Sequence, residues 1–199
     1  MSDASHVIDA EDGETLAERE FGFWLFLMSD AIVFALLFAT YAVLSQGHGG
    51  SHGPAGLFDL TRSGLETGLL LLSSLSFGLA VLALDEDRRW PTILWLLLTA
   101  LLGLSFLVLE ISDFRDLIAR GLAPQENGFL SAVFVLIGTH GLHVAMGILW
   151  IVILAVQLMV QGDDPQTRSR LLRLGYYWHF LDIVWIGIYS VVILPGFIT

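Results

Sequence analysis

His179 and Asp182 stand three residues apart inside an apolar run, 174–194, that is long enough to cross a bilayer. A helix places both on one face. His140 and His143 repeat the spacing in another run, and Asp30, Glu66 and Glu110 put carboxylates in three more. Such residues can ligate a metal or haem, relay protons, or hydrogen-bond one another. A carboxylate-bridged di-metal centre needs Glu-x-x-His on two helices. Here His140 and His143 lack a partner carboxylate at that spacing, and the pairing of His179 with Asp182 occurs once. A haem between His143 and His179 is geometrically admissible, and nothing else in the sequence favours it. A relay through Asp30, His140, His143 and Asp182 would belong to a transporter or proton channel, which typically carries inverted repeats with broken helices; the chain has no such repeat. Two further readings stay open: buried polar pairs that fix helix rotation and register, and a polar-lined cleft that receives lipid head groups. An aspartate near the bilayer centre costs about 2.5–3.5 kcal/mol on insertion scales, so the face bearing His179 and Asp182 is expected to turn away from bulk lipid.

The elements that must position these groups are read from composition and punctuation. The 199 residues are 55% hydrophobic and only 15% charged, with a mean hydropathy of +0.74. Those values mark an integral membrane protein with one helical domain. There is no cysteine, which excludes disulfides and thiolate metal sites. There is also no lysine, and the nine basic residues are scattered arginines, so nucleic-acid binding has no support. Residues 1–20 carry Asp3, Asp9, Glu11, Asp12, Glu14, Glu18 and Glu20 against Arg19. This pattern lacks the basic start and cleavage site of a secretory signal and predicts a flexible acidic leader.

Five spans are expected, over about 21–44, 64–84, 92–111, 129–157 and 172–194. The Gly- and His-rich stretch after the first, with His48, His52 and Pro54, reads as a loop with solvated histidines. Asp85, Glu86, Asp87, Arg88 and Arg89 form a short charged turn that makes the second and third spans antiparallel neighbours, and Trp90-Pro91 suits a membrane interface and a first helical turn. A polar connection over 112–128 contains a break from Gly121 to Pro124. Ser74 with Gly78, Thr99 with Gly103, and Gly141 with Ala145 are small residues four apart, which let helix backbones approach in lipid. The cluster Phe21, Phe23, Trp24 and Phe26 reads as an interface anchor, and Trp178 and Trp185 as a packing or lipid-facing stripe.

Arginine bias orients the bundle. Arg19, Arg88, Arg89, Arg168, Arg170 and Arg173 fall on one side and Arg62, Arg115 and Arg120 on the other. This predicts a cytoplasmic N-terminus and a periplasmic C-terminus. At about 1.5 Å per residue, Asp30, His140, His143, His179 and Asp182 lie near mid-depth and can meet at one level. Glu66 and Glu110 fall near the outer span ends, where snorkelling to water is easier.

Several motifs together resemble subunit III of the haem-copper terminal oxidases. They are Phe23-Trp24-Leu25-Phe26 with Met28-Ser29-Asp30 and Phe38-Ala39-Thr40-Tyr41, then Glu66-Thr67 with Leu70-Leu71-Leu72-Ser73-Ser74. Gly138-Thr139-His140-Gly141-Leu142-His143 and Tyr177-Trp178-His179-Phe180-Leu181-Asp182-Ile183-Val184-Trp185 follow. The last two are the specific ones. The five-span length, Met28-Ser29-Asp30, Glu66-Thr67 and Gly128-Phe129-Leu130-Ser131-Ala132 are more similar to the cytochrome o ubiquinol oxidase branch. Five-span subunits of bacterial cytochrome c oxidases remain the alternative.

The resemblance implies an all-α, five-span subunit of a proton-pumping complex that couples ubiquinol oxidation to oxygen reduction. It implies no catalytic residue, metal or cofactor in this chain, with haem and copper held by subunit I. It also implies packing against subunit I, companionship with subunit II and a small subunit IV, bound phospholipid, and a bacterial inner-membrane location. Asp30, Glu66, Glu110, His140, His143, His179 and Asp182 are then structural or lipid-contacting.

Overall fold

The computed structural model describes residues 2–46, 57, 59–162 and 164–195. The loop histidines His48 and His52 lie outside the described residues. Among the described residues the regular elements are all helical: α1 (Ser2–Gln46), α2 (Leu60–Asp85), α3 (Arg89–Ala119), α4 (Gly128–Gln161) and α5 (Pro165–Ile188), the last continuing into a π-helical turn, Tyr189–Ile193. Each of the five α-helices contains a stretch long and apolar enough to span a membrane. The chain divides into two compact units, Met1–Leu36 and Leu37–Thr199.

The first unit is the N-terminal part of α1. Its backbone is helical from Ser2, so the stretch expected as an acidic leader over 1–20 is continuous with the first span. Four glutamates and three alanines there favour a helix, and no proline interrupts it. The ring of Phe23 packs on Trp24 at 6.5 Å and on Phe26 at 6.4 Å.

In the second unit, α2 and α3 form an antiparallel hairpin. The charged turn closes α2 with Asp87 in the left-handed region, φ 55°. Arg88 N–H donates to Ala83 O at 2.9 Å and Asp87 N–H to Leu84 O at 3.0 Å, the paired bonds of a Schellman ending. The far end of α3 repeats the device. Gly121, φ 78°, donates to Ile118 O, and Leu122 donates to Leu117 O, both at 3.0 Å. The helix therefore runs eight residues past the expected end at Ile111 and stops at the glycine break itself. Arg62 of α2 secures that extension, its Nε 2.6 Å from Asp113 and its Nη1 3.0 Å from Asp116. Asp59 caps α2 by accepting from Thr61 N–H, and Asn127 caps α4 by accepting from Leu130 N–H. Pro165 opens α5, whose missing N–H costs nothing in the first turn.

The centre of this unit is the ring of Trp178. It is fully buried, and its Nε1–H donates to Ser73 Oγ of α2 at 3.1 Å. A Cβ at Gly103 of α3 would lie 3.0 Å from the ring, and one at Gly147 of α4 would lie 2.8 Å from it. The indole thus fills a gap that exists because two facing helices lack side chains there. Gly175 receives Phe77 in the same way at 2.9 Å, and Gly141 receives the Glu110 carboxyl at 2.9 Å. Gly78, expected to be a packing glycine, has no such neighbour among the described residues. Ser76 and Thr99 bridge α2 and α3 at 2.6 Å. At the opposite end from Arg62, Arg168 of α5 donates to Leu84 O and Arg89 of α3 donates to Met159 O of α4. The last turns of α1 belong to this unit too, with Tyr41 against Phe129 at 5.6 Å.

Two outcomes follow from this packing. Gly147→Ala crowds a ring already held by Gly103, and overpacking of this kind costs about 1–3 kcal/mol, whereas Gly78→Ala meets open space. Thermal denaturation of the purified protein checks this, and equal losses in both variants would contradict the wedge. Arg62→Gln strands Asp113 for about 1–3 kcal/mol. Arg88→Gln, which removes an exposed pair with Glu86, stays within about 0.5 kcal/mol.

Candidate functional site

The polar residues inside the spans separate into three places. At one end of the α2–α3 hairpin, Arg62 and Glu66 lie four apart on α2, facing Glu110, Asp113 and Asp116, three apart on α3. Glu66 and Glu110 are buried. Glu66 lies beside Asp113, and Glu110 lies close to both. Both oxygens of Glu110 and Oε1 of Glu66 have no hydrogen-bond partner among the described residues. These two glutamates, expected near the outer span ends where snorkelling to water is easier, are instead enclosed on this chain. The continuation of α3 past Ile111 places Glu110 well inside the helix, and the Arg62 ion pairs with Asp113 and Asp116 stand between the glutamates and the hairpin end.

The second place is aromatic. His140 of α4 is completely buried, stacked on Trp185 of α5 at 5.3 Å and edge-on to Phe106 of α3 at 5.8 Å. Trp185 meets Phe106 at 4.7 Å, and its Nε1–H donates to Thr67 Oγ1 of α2 at 3.0 Å. One ring cluster thereby ties four helices together. His143 turns back on its own helix, Nδ1 lying 2.7 Å from Thr139 O, and its carbonyl accepts from the Tyr177 hydroxyl at 3.0 Å.

The third place holds the pair that spacing alone picks out. Asp182 is buried, while the side chain of His179 is 51% exposed on this chain. His179 Nδ1 meets Ser74 Oγ at 2.7 Å and lies 3.6 Å from Asp182 Oδ2, which is too long for a hydrogen bond. The inward half of the expectation applies to Asp182; the imidazole lies at the chain's own surface, edge-on to Phe77 at 6.2 Å. The histidines of α4 are engaged with Trp185, Phe106 and Thr139, and those contacts are separate from the pairing of His179 with Ser74. Asp30 belongs to α1 in the first unit.

Sequence reasoning missed Arg62, Asp113 and Asp116. The signal for them is the Glu110, Asp113, Asp116 stripe at helical spacing, which carries α3 through the stretch expected as a connection from Ser112. Among the described residues no group of three or more His, Cys, Asp or Glu is arranged to hold a metal ion.

Comparison with known proteins matches this arrangement to one family. Residues 11–196 fit the family described as cytochrome c oxidase subunit III. The chain is 48% identical to cytochrome bo(3) ubiquinol oxidase subunit 3 of Pseudomonas putida over 177 residues, covering 88% of this chain and 84% of that protein. It is 46% identical to the protein of the same name from Pseudomonas aeruginosa over 178 residues, with the same shares. It is 39% identical to quinol oxidase subunit 3 of Bacillus subtilis over 197 residues, covering 94% and 97%. With five helices long and apolar enough to cross a membrane, and matched to these relatives over most of its length, the chain belongs to the subunit III family of the haem-copper oxidases.

Proposed function

We propose that this chain is the non-catalytic subunit III of a proton-pumping ubiquinol oxidase of the bacterial inner membrane. Its work is assembly, lipid organisation and the stability of subunit I. The observation that carries the reading is the use made of the interior polar groups: Trp178 on Ser73, Trp185 on Thr67 and Tyr177 on the His143 carbonyl each join one helix to another. Groups spent this way fix helix positions and present no nucleophile, acid or base to a substrate. The relatives' names, cytochrome bo(3) ubiquinol oxidase subunit 3 and quinol oxidase subunit 3, favour quinol as the donor for the complex. Haem and copper then reside in subunit I, with subunit II and a small subunit IV as further companions. The arginine bias supports a cytoplasmic N-terminus and a periplasmic C-terminus.

In this role Glu66, Glu110, His140, His143, His179, Asp182 and Asp30 are structural or lipid-contacting. The half-exposed His179, near the middle of its span, lies where a neighbouring subunit or a lipid can complete its hydrogen bonding.

Purification in mild detergent through a tag on this chain, with subunit identification and a reduced-minus-oxidised spectrum, tests the reading. Haem-bearing partners are expected to co-purify, the dissociated chain to be colourless, and the complex to oxidise ubiquinol. Oxidation of cytochrome c in its place would reassign the donor, and a haem or metal in the isolated chain would overturn the accessory role. Thr67→Val leaves the buried Trp185 indole without its acceptor for about 1–3 kcal/mol. That variant and Asp182→Asn are expected to lower the yield or thermal lifetime of the complex while turnover per assembled complex holds. Lost turnover in a fully assembled complex would contradict a purely structural role.

A further inference from the structure

The carboxyl groups between α2 and α3 have a charge balance that the structural role leaves unexplained. Among the described residues, the guanidinium ion-paired within the group of Glu66, Glu110, Asp113 and Asp116 is Arg62, which is already engaged by Asp113 and Asp116. Glu66 is 2% exposed and Glu110 4%. Each lies beside the other and beside Asp113, and both Glu110 oxygens lack a hydrogen-bond donor. An ionised Glu110 buried in that state has neither counter-charge nor hydrogen bond beside it, and Arg62 reaches Glu66 only in part against the like charge of Asp113, so repulsion adds to the cost of burial. Helix α4 adds no compensation at the contact, because what faces the Glu110 carboxyl there is the bare Cα of Gly141. The nearest titratable neighbour in sequence on α4, His140, is occupied with Trp185 and Phe106.

We propose that Glu66, Glu110 and Asp113 form a buried proton-binding site that exchanges with water through the cavity around Arg62. The ligand is the proton: one delivered as hydronium from bulk solvent converts a carboxylate into a carboxylic acid and leaves water behind, and the acid O–H supplies a donor to a neighbouring carboxyl that otherwise has none. A metal ion is the poorer occupant, since these oxygens are not arranged as a ligand set. The route in is graded. A cavity of about 90 Å³, lined in part by Asp59, Arg62, Asp113, Asp116 and Arg120, is roomy enough for water and opens at the end of the hairpin. Exposure falls from 52% at the Asp116 side chain to 13% at Asp113, and then to the two buried glutamates. Groups this closely coupled bind protons as a set, so the occupancy belongs to the cluster.

Infrared spectroscopy of the complex, purified with its partner subunits, tests the site. The spectrum of the unsubstituted complex minus that of Glu110→Gln is expected to contain the carbonyl stretch of a protonated carboxylic acid, displaced when water is replaced by heavy water. Loss of only the paired carboxylate stretches, or no difference, would overturn the proposal. Where Glu110→Gln does not assemble, Glu110→Asp keeps a carboxyl, and the acid band is then expected to move; an unmoved spectrum overturns the site equally. In Asp113→Asn the band's exchange into heavy water is expected to slow, and unchanged exchange would overturn the cavity as the entrance. None of these readouts uses turnover, so the site stands or falls separately from the quinol oxidase reading.

Discussion

The insertion of the Trp178 indole between Gly103 and Gly147 is the constraint on which the arrangement of α2 to α5 depends. Association of helices in lipid gains little from apolar burial, because the alternative environment is equally apolar; close packing and interhelical hydrogen bonds decide it. Trp178 supplies both, filling the glycine gap on α3 and α4 and donating to Ser73 on α2. Seven residues further along α5, Trp185 does the same with Thr67, Phe106 and His140. Two rings on one helix face thus set the rotation of four helices and hold the polar groups near them at fixed depth.

That geometry explains how a chain rich in interior histidine and carboxylate serves as scaffold. His140 sits among rings and His143 against its own helix backbone, so the His-x-x-His spacing that resembles a ligand motif never converges on a common point. The hairpin ends are held differently. Two Schellman endings, one on Asp87 and one on Gly121, stop α2 and α3, and Arg62, Arg89 and Arg168 join neighbouring helices across the ends. Apolar packing in the middle and arginine bridges at the rims give each part of the bundle a solvent-appropriate fastening.

The carboxyl cluster departs from this economy. Trp178, Trp185 and Tyr177 donate to acceptors on a neighbouring helix, whereas Glu66 and Glu110 are closed in beside Asp113, whose ion pair among the described residues is with Arg62. Burying such groups costs stability, so a proton held in common is the physical resolution that the arrangement itself supplies. It lies at the opposite end of the hairpin from the charged turn and apart from the histidines of α4.

The sequence by itself determined the span count, the order of the helices, the α2–α3 hairpin and the family. Twenty-residue apolar runs and their charged punctuation are local properties, and the motifs around His140 and Trp178 are contiguous. It also marked the seven intramembrane polar residues, because an ionisable side chain in an apolar run is conspicuous without a structure. Only the tertiary structure decided where they point. Glu110 reads as a span-end residue until the Gly121 ending extends α3. Arg62, Asp113 and Asp116 read as loop charges until that extension brings them beside α2. His179 and Asp182 share a helix face in the sequence, yet packing against α2 leaves one at the surface and buries the other. Burial depends on which neighbour covers a residue, and the rotation of each helix is set by contacts between residues about a hundred positions apart, Ser73 with Trp178 and Thr67 with Trp185, which no local pattern encodes.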